Sequence, residues 1–212
     1  MVVTVHDVFH LFPSSQRIAL TDGTTTVGTS VVHVGDQRPG RIRKRDLKKL
    51  KAGLARADLL VCDSEHTRLR CNEAFPNVPS ICVPLGLDVE AFAPSAGREK
   101  NAAFTMLFVG SADPRKRLSF LGRVLRTCSD DVLGQSVLHV VGDRSPEAHA
   151  MASSLGMEVV VHPLLDDVDL MALRHSADVL LFPSAAEGYG YPPVEAMAAC
   201  LLYTSPSPRD MW

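Results

Sequence analysis

Short apolar runs, rich in β-branched residues, recur along the chain at 2–5, 59–62, 80–83, 105–109, 136–141, 159–161 and 179–182. Several are too uniformly apolar to alternate between a wet and a dry face. Strands covered on both faces read this way, so the runs predict a parallel sheet with helices packed against it. Helical spacing fills some of the gaps. Leu47, Leu50 and Leu54 share one face of a helix expected over 41–56, and Val168, Met171 and Leu173 mark another over 167–176. Alternating strands and helices place the chain in the α/β class, with Rossmann-like architecture. The stretch 85–102, carrying Pro94, Gly97 and the charged Arg98, Glu99 and Lys100, reads as a connector. The domain boundary is therefore expected near residue 100, with one Rossmann-like portion over 1–100 and a second over 101–199. No repeat of solenoid period is present.

Composition narrows the partners. The 212 residues are 46% hydrophobic and 22% charged, which excludes a disordered or fibrous chain. The net charge of −2 argues against nucleic acid as a partner. The charge is unevenly spread, with 14 basic and 11 acidic side chains up to residue 100 against 8 and 13 beyond it. Five cysteines, Cys62, Cys71, Cys82, Cys128 and Cys200, form no C-x-x-C pair, so neither a disulfide framework nor a zinc site is indicated and a cytoplasmic, reducing compartment is expected. No apolar run is long enough to span a membrane. Both ends have the look of cuts, since a buried-type strand starts at Val2 with no lead-in. From Cys200 to Asp210 the text resembles the translation of a transposase sequencing adapter over eleven codons. Residues 200–212 are on this reading a non-native tail.

The chemistry concentrates in Ala186-Glu187-Gly188-Tyr189-Gly190-Tyr191-Pro192-Pro193-Val194-Glu195-Ala196-Met197-Ala198. It follows the apolar run 179–182, so it sits at the carboxyl end of a parallel strand, where open α/β sheets bind ligands. Gly188 and Gly190 allow close backbone approach, while Pro192 and Pro193 suit a helix's first turn. The positive end of that helix favours a phosphate. Glu187 and Glu195, eight apart, could face the hydroxyls of a ribose and a hexose. The plainer reading has Glu195 capping its own helix.

The Glu-x7-Glu spacing with Glu-Gly-Tyr-Gly and Glu-Ala-Met-Ala resembles the donor-site motif of retaining glycosyltransferases of family four, which have the GT-B fold of two Rossmann-like domains. Val3-Thr4-Val5-His6-Asp7 is similar to the first domain's strand and His-Asp turn. Ala57-Asp58-Leu59-Leu60-Val61-Cys62-Asp63-Ser64-Glu65 is similar to a later strand and helix start, and Leu85-Gly86-Leu87-Asp88 to the segment before the linker. Leu107-Phe108-Val109-Gly110 with Pro114-Arg115-Lys116 resembles the opening of the second domain. The resemblance implies two incomplete domains, the first on the acceptor side and the second binding a nucleoside-diphosphate sugar. It implies that Glu195 bonds the donor ribose, that Glu187 faces the transferred sugar, and that Lys116, assisted by Arg115, opposes the leaving diphosphate. Gly188, Tyr189 and Gly190 belong to the same donor loop. His6 matches the histidine that reaches the donor sugar; alternatively it merely ends a strand. Two positions depart from the family's pattern: Ser111 stands where arginine is frequent and Arg117 where Gly or Asn is usual.

No cofactor or metal is implied, and the acceptor would be a glycan or a lipid-linked sugar. Gly23 to Ser30 mimics a phosphate-loop frame, but Thr29 stands where its lysine belongs. His6 and His10 lie on a strand end and a loop, a poor metal pair. The run Arg38, Arg41, Arg43, Lys44, Arg45, Lys48, Lys49 and Lys51 reads as a solvated face, or as a surface meeting anionic membrane lipid from the cytoplasmic side. Two competing readings remain at this level, an inactive or unfolded fragment that at most binds nucleotide sugar and a GT-B nucleotide-sugar epimerase.

Overall fold

The computed structural model describes residues 1–22, 25–94, 101–142 and 146–204. Contacts divide them into two units: Met1–Gly86 with Ala185–Tyr189, and Leu87–Ser184 with 190–204. The division along the chain falls at Gly86 and Leu87, inside the expected connector, of which residues 95–100 lie outside the described residues.

In the first unit, strands β1 (Val2–Val5), β4 (Leu59–Cys62) and β5 (Ser80–Cys82) form a parallel sheet in the order β1-β4-β5. Val5 pairs with Cys62, and Cys62 with Cys82, so the strand ends are level. Central β4 buries Leu60 and Cys62 completely, against Val5, Cys71, Phe75 and Val78. Helix α2 (Glu65–Ala74) starts at once after β4, because Ser64 caps it by accepting the Thr67 N–H at 3.1 Å. Between β1 and β4 run β2 (Ser14–Asp22), β3 (Thr25–Val34) and helix α1 (Arg41–Leu54). The first two form an antiparallel hairpin, with Ser14 opposite Val34 and Asp22 opposite Thr25. Most of the sham phosphate loop is thus strand. Helix α1 departs from its expected packing: Leu50 is exposed and Leu54 is its buried residue. Cations on nearly every side let only its last turn dock.

In the second unit, β6 (Phe104–Val109), β7 (Ser136–Val141), β8 (Glu158–His162), β9 (Val179–Leu181) and β10 (Leu202–Thr204) make one parallel sheet in the order β10-β9-β6-β7-β8. Leu107 and Phe108 are neighbours pointing to opposite faces, and both are buried, as are Val140 and Val141. That two-sided burial is what the non-alternating runs predict. The helices are α3 (Val89–Phe92), α4 (Leu118–Leu125), α5 (Asp130–Gly134), α6 (Pro146–Ser154), α7 (Asp167–Ser176) and α8 (Tyr191–Ala198). From Cys200 on, where the sequence reading expects foreign residues, Leu202–Thr204 lies along β9 as an exposed edge strand, and Phe182 N–H donates to the Thr204 carbonyl at 2.9 Å.

Candidate functional site

The strand order of the second unit determines where its chemistry gathers. The chain proceeds outward from β6 to β7 and β8, then returns to the other side of β6 as β9. The order reverses between β6 and β9, and loops at the carboxyl ends of strands flanking such a switch point diverge and leave a crevice. The two loops that leave there are the ones with the expected donor-binding residues.

After β6, Gly110 N–H donates to Val141 and the chain enters a single 3₁₀ turn, Pro114–Lys116. Asp113 organises it: one carboxylate oxygen accepts the Arg115 N–H at 2.9 Å and the other takes Arg115 Nε at 3.1 Å. The Arg115 guanidinium is therefore held beside its own turn. Lys116 places its Nζ 5.2 Å from the centre of the Phe182 ring, just past β9. Arg117 has left-handed backbone, φ 59°, which Gly or Asn adopts more readily, and this joins the turn to α4. Its guanidinium is buried, stacked 4.0 Å over Phe120, and Nη1 reaches the Pro183 carbonyl at 3.5 Å. Burial and then the nearby Arg123 push its pKa down. Its Nη2 and the Ser184 hydroxyl are buried without a hydrogen-bond partner among the described residues.

After β9, α8 begins at Tyr191 on a left-handed Gly190, φ 82°. Pro192 and Pro193 occupy the first turn, which removes two of the amides that an ordinary helix start offers an anion. The helix's N-cap, Gly190, has no side chain to cap it. Glu195 instead forms an ion pair with Arg174 at the end of α7, both side chains being largely buried. Burial raises the Glu195 pKa and Arg174 opposes that rise, while burial lowers Arg174. Arg174 also lies 5.5 Å over the Phe92 ring, whose carbonyl oxygen is 2.9 Å from His175 Nε2. Arg174 is a partner that sequence reading missed. A lone arginine in a helix's last turn reads as a dipole-compensating cation, and only the fold puts it on a glutamate 21 residues away.

The remaining expected residues meet in the first unit. Ala185 and Ala186 pack with Val32, Val34 and Phe9, so Glu187, Gly188 and Tyr189 belong by their contacts to this unit, although their place in the chain puts them in the expected second domain. Tyr189 donates its hydroxyl to the Leu85 carbonyl at 2.8 Å. Gly188 lies so close to His6 that a Cβ would stand 2.0 Å from the His6 carbonyl oxygen. His6 ends β1, and its Nδ1 is 3.0 Å from the carboxylate of buried Asp63, at the end of β4. Parallel pairing of β1 and β4 produces that meeting.

The comparisons with known proteins agree with this architecture. Residues 91–203 match the model of the family described as glycosyl transferases group 1. A curated relative, an MMP alpha-(1->4)-mannosyltransferase from Mycolicibacterium hassiacum, is 36% identical over 121 residues, 55% of this chain and 28% of the relative. Among solved structures, Anabaena HepE in complex with UDP and glucose aligns with a TM-score of 0.62 at 19% identity, over 76% of this chain and 48% of that one. Sucrose-phosphate synthase from Thermosynechococcus elongatus aligns at 0.61 with 22% identity, over 80% and 44%. The chain thus spans less than half the length of these proteins, and at this identity the structural likeness shows the GT-B type of α/β fold. With just over half of its residues covered by the family match and both loops of the β6/β9 switch point inside it, the chain belongs to the group 1 glycosyltransferases.

Proposed function

We propose that the chain serves a retaining transfer of a hexose from a nucleoside-diphosphate sugar to a glycan or lipid-linked acceptor, without a metal. The observation that carries this is the convergence of Lys116 on Phe182 at the switch point, with the paired Glu195 on the helix that follows. Departure of the sugar leaves two phosphates gaining negative charge, and Lys116 is the cation suited to meet it. Glu195 has one oxygen on Arg174, and the other is the natural acceptor for ribose hydroxyls. Glu187, with Gly188 and Tyr189, and the exposed ring of His6 are assigned to the transferred sugar. The acceptor hydroxyl then attacks from the face the diphosphate leaves, and a phosphate oxygen takes its proton. No protein nucleophile is needed, so positioning and charge stabilisation are the chain's contribution.

The test is calorimetric titration of the chain with UDP, GDP and ADP. One of them is expected to bind, and Lys116→Ala and Glu195→Ala should each weaken it by about 1.5 to 3 kcal/mol, the worth of a charge-assisted hydrogen bond. Heat-free titrations with all three, or unchanged affinity in both variants, would refute the donor reading.

A second element concerns the acceptor. Helix α1 exposes Arg41, Arg43, Lys44, Arg45, Lys48, Lys49 and Lys51, together with Ile42 and Leu50. Cations interleaved with apolar side chains suit the cytoplasmic face of an anionic bilayer, where a lipid-linked acceptor resides. The chain is expected to float with vesicles containing phosphatidylserine but not with neutral ones; equal recovery from both kinds of vesicle would sink the idea. No helix among the described residues is long and apolar enough to cross a membrane.

A further inference from the structure

We infer that Asp63 is the positioning residue of His6: it holds the ring with its proton on Nδ1 and turns a bare Nε2 outward. The usefulness of that Nε2 for a donor sugar rests on the function proposed above, but the assignment of Asp63 rests on the first unit alone.

Three contacts hold His6. Thr67 Oγ1 donates to its carbonyl at 3.3 Å, and Gly188 packs its backbone against the same oxygen. Thr67 is itself positioned by the cap of α2, through the Ser64 hydroxyl at 3.0 Å. These two contacts fix the His6 backbone and leave the ring free to turn. The third is Asp63, whose Oδ2 is 3.0 Å from Nδ1.

The burial of this pair is lopsided. The Asp63 side chain is 3% exposed and that of His6 is 66% exposed. A carboxylate can only accept, so the shared proton sits on Nδ1, and the neutral ring must then present Nε2 as a lone pair. Without a partner, an exposed imidazole is under no such constraint and its ring can also flip about its bond to Cβ.

Asp63 is also costly for the fold to keep. Its second oxygen, Oδ1, is buried with no hydrogen-bond partner among the described residues. The start of α2, one residue on, offers a positive dipole end to the carboxylate but no bond to Oδ1. An asparagine or serine would serve as well if the position were needed only to lead into the Ser64 cap. A buried group half-satisfied in this way calls for a reason to be there. The only polar side chain hydrogen-bonded to Asp63 among the described residues is His6, and the part of His6 left open is the nitrogen that Asp63 determines.

The experiment is long-range ¹H–¹⁵N correlation NMR of the histidine side chains in the whole chain, at a pH where His6 is neutral, with His6→Gln used to assign its signals. The wild-type chain is expected to show Nδ1 protonated and Nε2 bare. Asp63→Asn keeps the shape of the side chain but offers the ring a donor as well as an acceptor, and Asp63→Ala offers nothing. In both, the Nδ1–H form should lose its dominance, while backbone amide spectra report whether the fold is kept. An Nε2–H tautomer in the wild type would overturn the proposal. So would an Nδ1–H tautomer that persists in a folded Asp63→Ala chain. Adding UDP-glucose separates this from the functional reading. Tautomer control by Asp63 with Nε2 signals that do not move would leave the positioning role standing and remove His6 from the donor-sugar site.

Discussion

Removing Arg174 tests the part of the site most deeply built into the second unit. Arg174 is 6% exposed and Glu195 17%, so neither charge is solvated enough to stand alone. Arg174→Met keeps an aliphatic stem of similar length and deletes the guanidinium, which both lies over Phe92 and pairs with Glu195, leaving Glu195 buried without its cation. Breaking a buried pair from one side costs about 3 to 5 kcal/mol, because the desolvated charge left behind has nothing to offset it. Glu195→Gln should cost a similar amount for the mirror reason. The double variant strands no charge and should recover much of the loss, giving a coupling on the order of 2 kcal/mol or more in a double-mutant cycle. The assay is urea denaturation followed by circular dichroism, supported by thermal melts, in which 3 kcal/mol corresponds to a shift of roughly 6 to 12 °C for a chain of this size. Burial already raises the Glu195 pKa, and losing Arg174 should raise it further, so the Arg174→Met deficit should shrink as pH falls and Glu195 becomes neutral. Single variants within 1 kcal/mol of wild type, or losses that simply add, would mean that the two side chains do not depend on each other and that Glu195 is not held for a ligand by this pair.

Other consequences can be measured directly. Gly188→Ala should destabilise the first unit by about 1 to 3 kcal/mol in thermal melts, since the new Cβ meets the His6 backbone oxygen rather than a movable side chain; an unchanged melting temperature would contradict the close packing. His139 on β7 stacks with His162 on β8, 2.7 Å apart at Nδ1 and Nε2, and burial, then the His162 charge, lowers its pKa, with Glu158 opposing. A base held below its ordinary value adds stability that is complete above about pH 6.5 and is lost as pH falls below it. His139→Gln should therefore flatten the fall in stability below pH 6.5, measured by urea denaturation at pH 7.5 and 5.5, and an unchanged slope would exclude the pair as its source. Lys116→Ala should lower the turnover of glycosyl transfer about 100- to 1000-fold, in addition to weakening nucleotide binding, because the charge it meets grows as the sugar departs; an unchanged turnover in steady-state kinetics would remove that role.

How much of this could be read from the chain depends on how local the cause is. The strands 59–62 and 136–141 and the helix 167–176 were legible to the residue, since apolar periodicity and capping act within a few positions. The hairpin Ser14–Asp22 and Thr25–Val34 carries a local signal, Asp22-Gly23 between β-rich runs, but the same glycine-threonine stretch also mimics a phosphate-loop frame. The face of α1 was not legible, because its leucine stripe competes with charges all round it and the fold buries only Leu54 at its end, leaving Leu50 exposed. The donor loop stood out by its spacing, including Glu195, but its contacts divide at Gly190 between two units, which no local pattern announces.

What the sequence determined by itself is the α/β class, the positions of seven of the parallel strands, and the residues with chemistry to offer, for these follow from short-range sterics and from the apolar pattern of each segment. Only the tertiary structure decided their partners. Asp63 meets His6 because β1 and β4 pair in parallel with level ends, and Arg174 meets Glu195 because α7 and α8 flank β9. Both meetings join residues tens of positions apart through strand order, a long-range choice made by burying whole faces of the sheet, and no motif within a single segment encodes it.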